Sequence, residues 1–292
     1  MRRIRSVAVT EIVLVVSLVG FAGIAQLIEH VYKLDFAVRL SPVAALACAA
    51  APSILWLAVF SLQDRGDPAP RSYVFGVYLL GAFVAGPMAS FAVSQTVIEP
   101  VVALPAIGTF TTRGVVRAVL LVGLAHELCK YIVVRYTVYL SPQLSEPIDG
   151  IIYMSAAALG LATYHNYTQL AQLGNATYLT VGTTTIMSTT VMHVAVAAVM
   201  GVYVAKAKFS CTSSYQRSTA LLFGLCSAMV LHGLFSLIYR AVSTAGAEAR
   251  PWYGVAWAGG FAAAMFLTVS VLMRRHFTVP QVAVEESEDV DD

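Results

Sequence analysis

The stretch RGVVRAVLLVGLAHELCKYIVVRYTV, residues 113–138, is long and apolar enough to cross a bilayer as a helix, yet it carries ionisable side chains near its middle. A membrane-spanning helix needs roughly 20 mostly apolar residues. A charged side chain at mid-bilayer costs about 2.5–3.5 kcal/mol on insertion scales. The stretch therefore predicts a transmembrane helix, and His126, Glu127 and Lys130 within it predict that this helix does more than anchor the chain.

The rest of the chain repeats this apolar character. Of its 292 residues 58% are hydrophobic and only 12% are charged, whereas an average soluble domain has about 25% charged residues. We expect an all-α fold, a polytopic transmembrane helical bundle of about eight spans, which excludes a soluble enzyme of ordinary composition. The spans are placed near residues 8–28, 42–62, 72–95, 113–138, 148–171, 178–205, 217–240 and 252–273.

Two segments outside the spans have their own character. Residues 96–112 are apolar but are interrupted by Pro100 and Pro105, which favours a re-entrant or interfacial stretch. The membrane domain is expected over residues 1–276, and the acidic residues 277–292 are expected to be a disordered cytoplasmic tail. With about eight spans, both termini lie on the same side of the membrane, and the segments on that side carry more Lys and Arg than the segments on the other side. Cytoplasmic segments carry such an excess, so we expect both termini to be cytoplasmic.

Charge and cysteine content exclude further classes. A net charge of +2 and a pI near 8.3 give no reason to expect a nucleic-acid partner, so the lipid bilayer is the expected surrounding. The four cysteines show no CxxC spacing, which argues against a disulfide framework or a zinc ribbon.

Polar side chains lie deep in four consecutive predicted spans, from the fourth to the seventh. Helical rise places all of them in the middle-to-outer part of the bilayer, so they can meet at one site. The set comprises His126, Glu127, Lys130, His165, Asn166, His193 and His232.

Such a set permits two interpretations. Hydrogen bonds and a salt bridge among these residues could simply hold helices together. Alternatively, a buried Glu can activate water as a general base, and three His with Glu and a water would satisfy a divalent metal such as zinc. HELCK at 126–130 is not the zinc-binding HExxH motif, because Lys130 stands where that motif has its second His. The spacing alone therefore does not decide whether the site binds a metal.

At these residues the sequence resembles the PrsW family of intramembrane proteases, which is distantly similar to CAAX prenyl proteases. The family's Glu-Glu-x-x-Lys motif is matched by His126-Glu127-Leu128-Cys129-Lys130, and its Asp-Gly to Asn pattern by EPIDGIIYMSAAALGLATYHN at 146–166. Its later histidine motifs are matched around His193 and His232. The likeness covers about residues 113–240. His126 and His165 stand where the family has glutamates.

The resemblance implies a hydrolase that cleaves a peptide bond of a membrane protein within or at the edge of the bilayer. Glu127 would be the general base, oriented by Lys130, and Asn166 would donate a hydrogen bond toward the oxyanion. His126 would be an auxiliary ligand or acid. The remaining histidines would hold the water, directly or through a metal; they are His165, His193 and His232.

Two other functions compete with this interpretation. A catalytically silent relative would keep the polar set for packing and would bind or chaperone membrane helices. A proton-coupled transporter would use the His/Glu chain as a relay, but we detect no inverted repeat.

Overall fold

The computed structural model describes residues 19–33, 40–63, 69–95, 112–172, 179–245 and 248–277. These residues form eight helices and one antiparallel ladder of two-residue strands, β1 (Thr244–Ala245) and β2 (Glu248–Ala249). The helices are α1 (Val19–Val31), α2 (Pro42–Gln63), α3 (Arg71–Gln95), α4 (112–137), α5 (Pro147–Gln172), α6 (Leu179–Phe209), α7 (Ser214–Ser243) and α8 (Pro251–Phe277).

The all-α prediction is confirmed, while the count of about eight spans is not. Among the described residues, five helices are long and apolar enough to cross a membrane: α2, α3, α6, α7 and α8. α1 is a shorter apolar helix over its described residues. α4 and α5 fall outside this group although they are long, because they carry the polar residues singled out above.

Three of the sequence predictions fall on residues outside the described ranges. They are the beginning of the first span, the interrupted segment 96–112 apart from its last residue, and the acidic tail after Phe277.

The core of the bundle is formed by α5 and α6. α6 is buried over most of its length, and the middle of α5 consists of small residues that are fully buried, such as Ala156, Ala157 and Ala158. The two helices touch through Gly150 and Gly201. A Cβ placed on either glycine would lie 2.6 Å from the backbone oxygen of the other. Small residues let membrane helices approach this closely. The contact fixes the position of α6 along the axis of α5.

α4 is not a regular α-helix throughout. Residues Arg117–Gly123 form a π-helical segment, after which the α-helix resumes at Leu124. This segment packs against α7, where a Cβ on Gly233 would lie 2.6 Å from Val119 Cα. π segments are rare and often occur at functional sites. Here the segment ends immediately before the His-Glu-x-x-Lys stretch and directs it into the bundle.

Candidate metal and hydrolytic centre

Glu127 lies at the centre of a buried polar cluster. Its Oε1 accepts a hydrogen bond from Lys130 Nζ at 2.5 Å and lies 2.7 Å from His232 Nδ1. Lys130 follows Glu127 by three residues on α4, so the helix itself brings the two together. All three side chains are buried. Glu127 Oε2 is also buried and has no hydrogen-bond partner, so one carboxylate oxygen is fixed and the other is available.

His193 completes this arrangement from α6. Its ring lies 5.1 Å from that of His232, and its Nδ1 is buried without a hydrogen-bond partner. Glu127, His193 and His232 each offer one ligand atom, and these atoms all lie within 4.8 Å of one another. Three helices that are distant in sequence thus place one carboxylate and two imidazoles around a common point.

His126 lies beside this group and is held by its own helix. Its Nδ1 is 2.8 Å from the backbone oxygen of Val122, so Nδ1 donates there and Nε2 is left for the site. The His126 ring lies 4.9 Å from the His232 ring and 5.7 Å from the His193 ring. His126 is therefore a neighbour of the three possible ligands and is not one of them in this arrangement.

His165 stands at the edge of the cluster. Its ring lies 5.9 Å from His126 and 6.2 Å from His193. Unlike the other three histidines, it is only partly buried. Its Nε2 lies 2.8 Å from the side-chain nitrogen of Gln169, one turn further along α5. The structure thus gathers the histidines of all four helices, with His165 at the more open side.

Asn166 is buried and makes its hydrogen bonds to residues of α6. Its Nδ2 donates to Thr190 Oγ1 at 3.1 Å, and its Oδ1 accepts from Thr189 Oγ1 at 2.6 Å. Sequence reasoning did not select Thr189 as a site residue. Its spacing could have done so, because Thr189 precedes His193 by one helical turn and shares its face.

The donor set fits a divalent metal. Two imidazoles and a carboxylate form a common set of three protein ligands at catalytic zinc sites, where a water takes the fourth position. The unpartnered Nδ1 of His193 and Oε2 of Glu127 are buried atoms that need a partner. Lys130 adds a positive charge at Oε1 of the carboxylate, which weakens the attraction for a cation but holds the carboxylate in place.

A helical bundle with a buried carboxylate and histidines at mid-helix holds the residue types that an intramembrane hydrolase needs. Comparison with known families agrees with this. Residues 69–273 match the family described as PrsW family intramembrane metalloprotease. The matched region is well over half of the chain, and the chain belongs to this family. The matched region extends beyond residues 113–240 on both sides and includes α3 and most of α8.

The chain is similar to curated proteins named Protease PrsW. The protein of Geobacillus kaustophilus is 29% identical over 196 residues, which is 67% of this chain and 80% of the relative. That of Bacillus subtilis is 28% identical over 200 residues, 68% of this chain and 84% of the relative. That of Shouchella clausii is 26% identical over 198 residues, 67% and 83% respectively. No solved structure matches the chain.

Proposed function

We propose that the protein hydrolyses a peptide bond of a membrane protein, with the bond brought to Glu127 inside the bilayer. The observation that carries the proposal is the buried Oε2 of Glu127, which has no hydrogen-bond partner while Lys130 and His232 occupy Oε1. At 1.5 Å per residue, Glu127 lies roughly 22 Å from the start of α4 and His193 roughly 21 Å from the start of α6. A substrate must therefore reach deep into the bundle, which suits a membrane-embedded segment.

The residues of the cluster have different roles in the proposed reaction. In the reaction without a metal, Glu127 Oε2 accepts a proton from the attacking water, and the bond from Lys130 keeps the carboxylate ionised and oriented. His126 presents Nε2 to the same space as a hydrogen-bond acceptor for the water, and the proton taken up by Glu127 passes to the amine that leaves. The buried position excludes bulk water, so each of these interactions acts in a medium of low dielectric.

We propose zinc as the metal that the site holds, with His193, His232 and Glu127 Oε2 as its protein ligands; Oε2 would then hold the metal and would not serve as the base. When bound, a metal of this kind lowers the pKa of a coordinated water toward neutrality and polarises the substrate carbonyl. The same carboxylate oxygen would serve in a metal-free reaction, in which water is held by Glu127 and the histidines alone. Metal content therefore separates the two mechanisms.

Asn166 takes a narrower role in this proposal than its sequence position implied. Its amide donates to Thr190 on α6 and its oxygen accepts from Thr189. Its donor would have to leave that bond to reach an oxyanion. We infer that Asn166 is a positioning residue that holds α5 on α6, and that it sets the relative height of His165 and His193.

The membrane arrangement is part of the proposal. We propose that all eight helices cross the bilayer and that both termini are cytoplasmic. Two contacts support this arrangement. The ring of His276 near the end of α8 lies 6.5 Å from the Tyr203 ring near the end of α6, so these two helices end on the same side of the bundle. Glu29 near the end of α1 accepts a hydrogen bond from Thr180 at the start of α6, so the end of α1 lies on the opposite side.

Activity in proteoliposomes tests the hydrolytic role. The substrate is a set of fluorogenic reporters, each carrying one transmembrane helix. We expect Glu127→Gln to lower the cleavage rate by about 10²- to 10⁴-fold, the usual contribution of a general base. His30→Ala, on the exposed surface of α1, is the matched control and keeps the wild-type rate. Cleavage by well-folded Glu127→Gln at the wild-type rate would refute the proposal.

Elemental analysis of the purified protein tests the metal. We expect stoichiometric metal in wild type and in His30→Ala, and loss of it in His193→Ala. A metal-free wild type that still cleaves the reporters would favour the glutamate mechanism without a metal.

One observation favours a second candidate, a silent relative that binds membrane helices. His126 and His165 replace two family glutamates, and Lys130 neutralises the one carboxylate that remains. Such a protein would bind single-span reporters without cleaving any of them, and Glu127→Gln would leave that binding unchanged.

A further inference from the structure

The two sides of the His/Glu cluster differ in polarity and in burial. We use the name polar side for the side toward the start of α6 at Leu179. It is lined by side chains with hydroxyl, amide or imidazole groups, and every one of them is partly exposed. They are His165, Gln169, Thr185, Thr189, Ser236 and Tyr239.

On α6 and α7, the opposite side, toward the end of α6, is lined by apolar residues. Ala197 lies one turn beyond His193, and it is fully buried together with Met200 and Val204 further along α6. On α7, which runs in the other direction, the corresponding position is Ala228, one turn before His232, and it is also fully buried. A water on this side would find no polar partners among these side chains, and a buried water needs two to four.

Contacts on the polar side link the three helices α5, α6 and α7. Tyr239 OH donates to Thr185 Oγ1 at 3.5 Å, and Thr189 Oγ1 lies 2.6 Å from Asn166 Oδ1. The spacing of Thr185, Thr189 and His193 is four residues each, so all three share one face of α6. Each of these hydroxyls has one proton to donate, Thr185 to a backbone oxygen and Thr189 to Asn166, and keeps lone pairs that can accept from water.

We propose that this polar side is the route by which water reaches the cluster. The inference rests on the proposed function, because hydrolysis consumes one water for each peptide bond and the hydrocarbon of the bilayer supplies none. Thr189 and Ser236 are the positioning residues of the route, since each lies one turn from a histidine of the cluster. The apolar side stays dry and keeps the water from passing through the bundle.

Cysteine accessibility tests the route without using activity. Thr189→Cys and Ser236→Cys lie on the polar side, each four residues from its histidine. Ala197→Cys and Ala228→Cys lie four residues from the same histidines on the other side, so they are matched controls. All four are made in the Glu127→Gln chain in nanodiscs, treated with a charged, water-soluble thiosulfonate, and read peptide by peptide by mass spectrometry. This reading separates them from the native cysteines.

We expect the two polar-side cysteines to react at least about tenfold faster than the two controls, because a charged reagent must reach the thiol through water and because apolar surroundings disfavour the reactive thiolate. Equal rates at the four positions, or faster reaction at Ala197→Cys and Ala228→Cys, would overturn the route. Should Thr189→Cys fail to fold, Ser236→Cys against Ala228→Cys decides alone.

The labelling result is independent of the proposed hydrolysis, because it is measured in a chain without the general base. A second variant connects the two: in the otherwise native chain, Thr189→Val should slow both cleavage and labelling at Ser236→Cys, whereas Thr189→Ser should restore both. Slow cleavage with unchanged labelling would assign Thr189 to packing and contradict the route. Loss of the proposed function alone would show as no cleavage by wild type with asymmetric labelling intact.

Discussion

Removing the charge of Lys130 perturbs the cluster at its most strongly coupled point. At 2.5 Å from Glu127 Oε1, the gross attraction is about 7 kcal/mol at an effective dielectric constant of about 20. Desolvation of two ions offsets most of this attraction, so the intact pair contributes little net stability. Lys130→Met, however, leaves a buried carboxylate with His232 alone. We expect the free energy of unfolding to fall by about 3–5 kcal/mol, the usual cost of breaking a buried pair.

The double variant Lys130→Met with Glu127→Gln makes this reasoning testable, because it removes both charges. We expect it to be more stable than Lys130→Met alone. Unfolding is followed by tryptophan fluorescence during an SDS titration in mixed micelles, with Lys33→Met on the exposed surface as control, unchanged within about 0.5 kcal/mol. The reasoning is refuted if Lys130→Met costs less than about 1 kcal/mol, or if the double variant is no more stable than the single one.

Three further predictions use the same titration or thermal unfolding. Gly233→Ala should lower the free energy of unfolding by about 1–3 kcal/mol, because its Cβ would lie 2.6 Å from Val119 Cα, whereas Gly260→Ala, which meets open space, should change it by less than about 0.5 kcal/mol; equal effects would show that α4 and α7 separate freely. Asn166→Ala should cost about 1–3 kcal/mol by leaving Thr190 without its donor; an unchanged value would mean that Asn166 does not hold α5 on α6. Treatment with a chelator should lower the thermal midpoint and added zinc should restore it; a midpoint that stays constant would argue against a resident metal.

The positions of the helices could be predicted from the sequence because apolar run length decides them. The run at 148–171 corresponds to α5 (Pro147–Gln172), and the run at 252–273 to α8 (Pro251–Phe277). The runs end where prolines and charged side chains meet the interface. Whether each helix crosses the bilayer is not decided by the same property, since α4 and α5 carry polar side chains, and Glu127 and Asn166 also have partners on neighbouring helices.

Parts of the candidate site could not be predicted because they depend on packing between helices. The proximity of Glu127 and Lys130 follows from their spacing on one helix, but the bond from His232 requires the angle at which α7 crosses α4. The direction of Asn166 is decided by the hydroxyls of α6, which sequence analysis did not connect to it. The π segment of α4 lies where Gly233 closely approaches Val119, and nothing in Arg117–Gly123 alone signals it.

That π segment also bears on how insertions and deletions act in this chain. A single residue removed from Arg117–Gly123 could be absorbed by restoring α-helical turns, and the rest of α4 would then keep its direction, whereas a deletion in the regular helix between Leu124 and Glu127 would rotate everything beyond it by about 100°. Only the second deletion would take Glu127 away from His232. Relatives that differ by one residue within the π segment can therefore still direct their carboxylates into the same site.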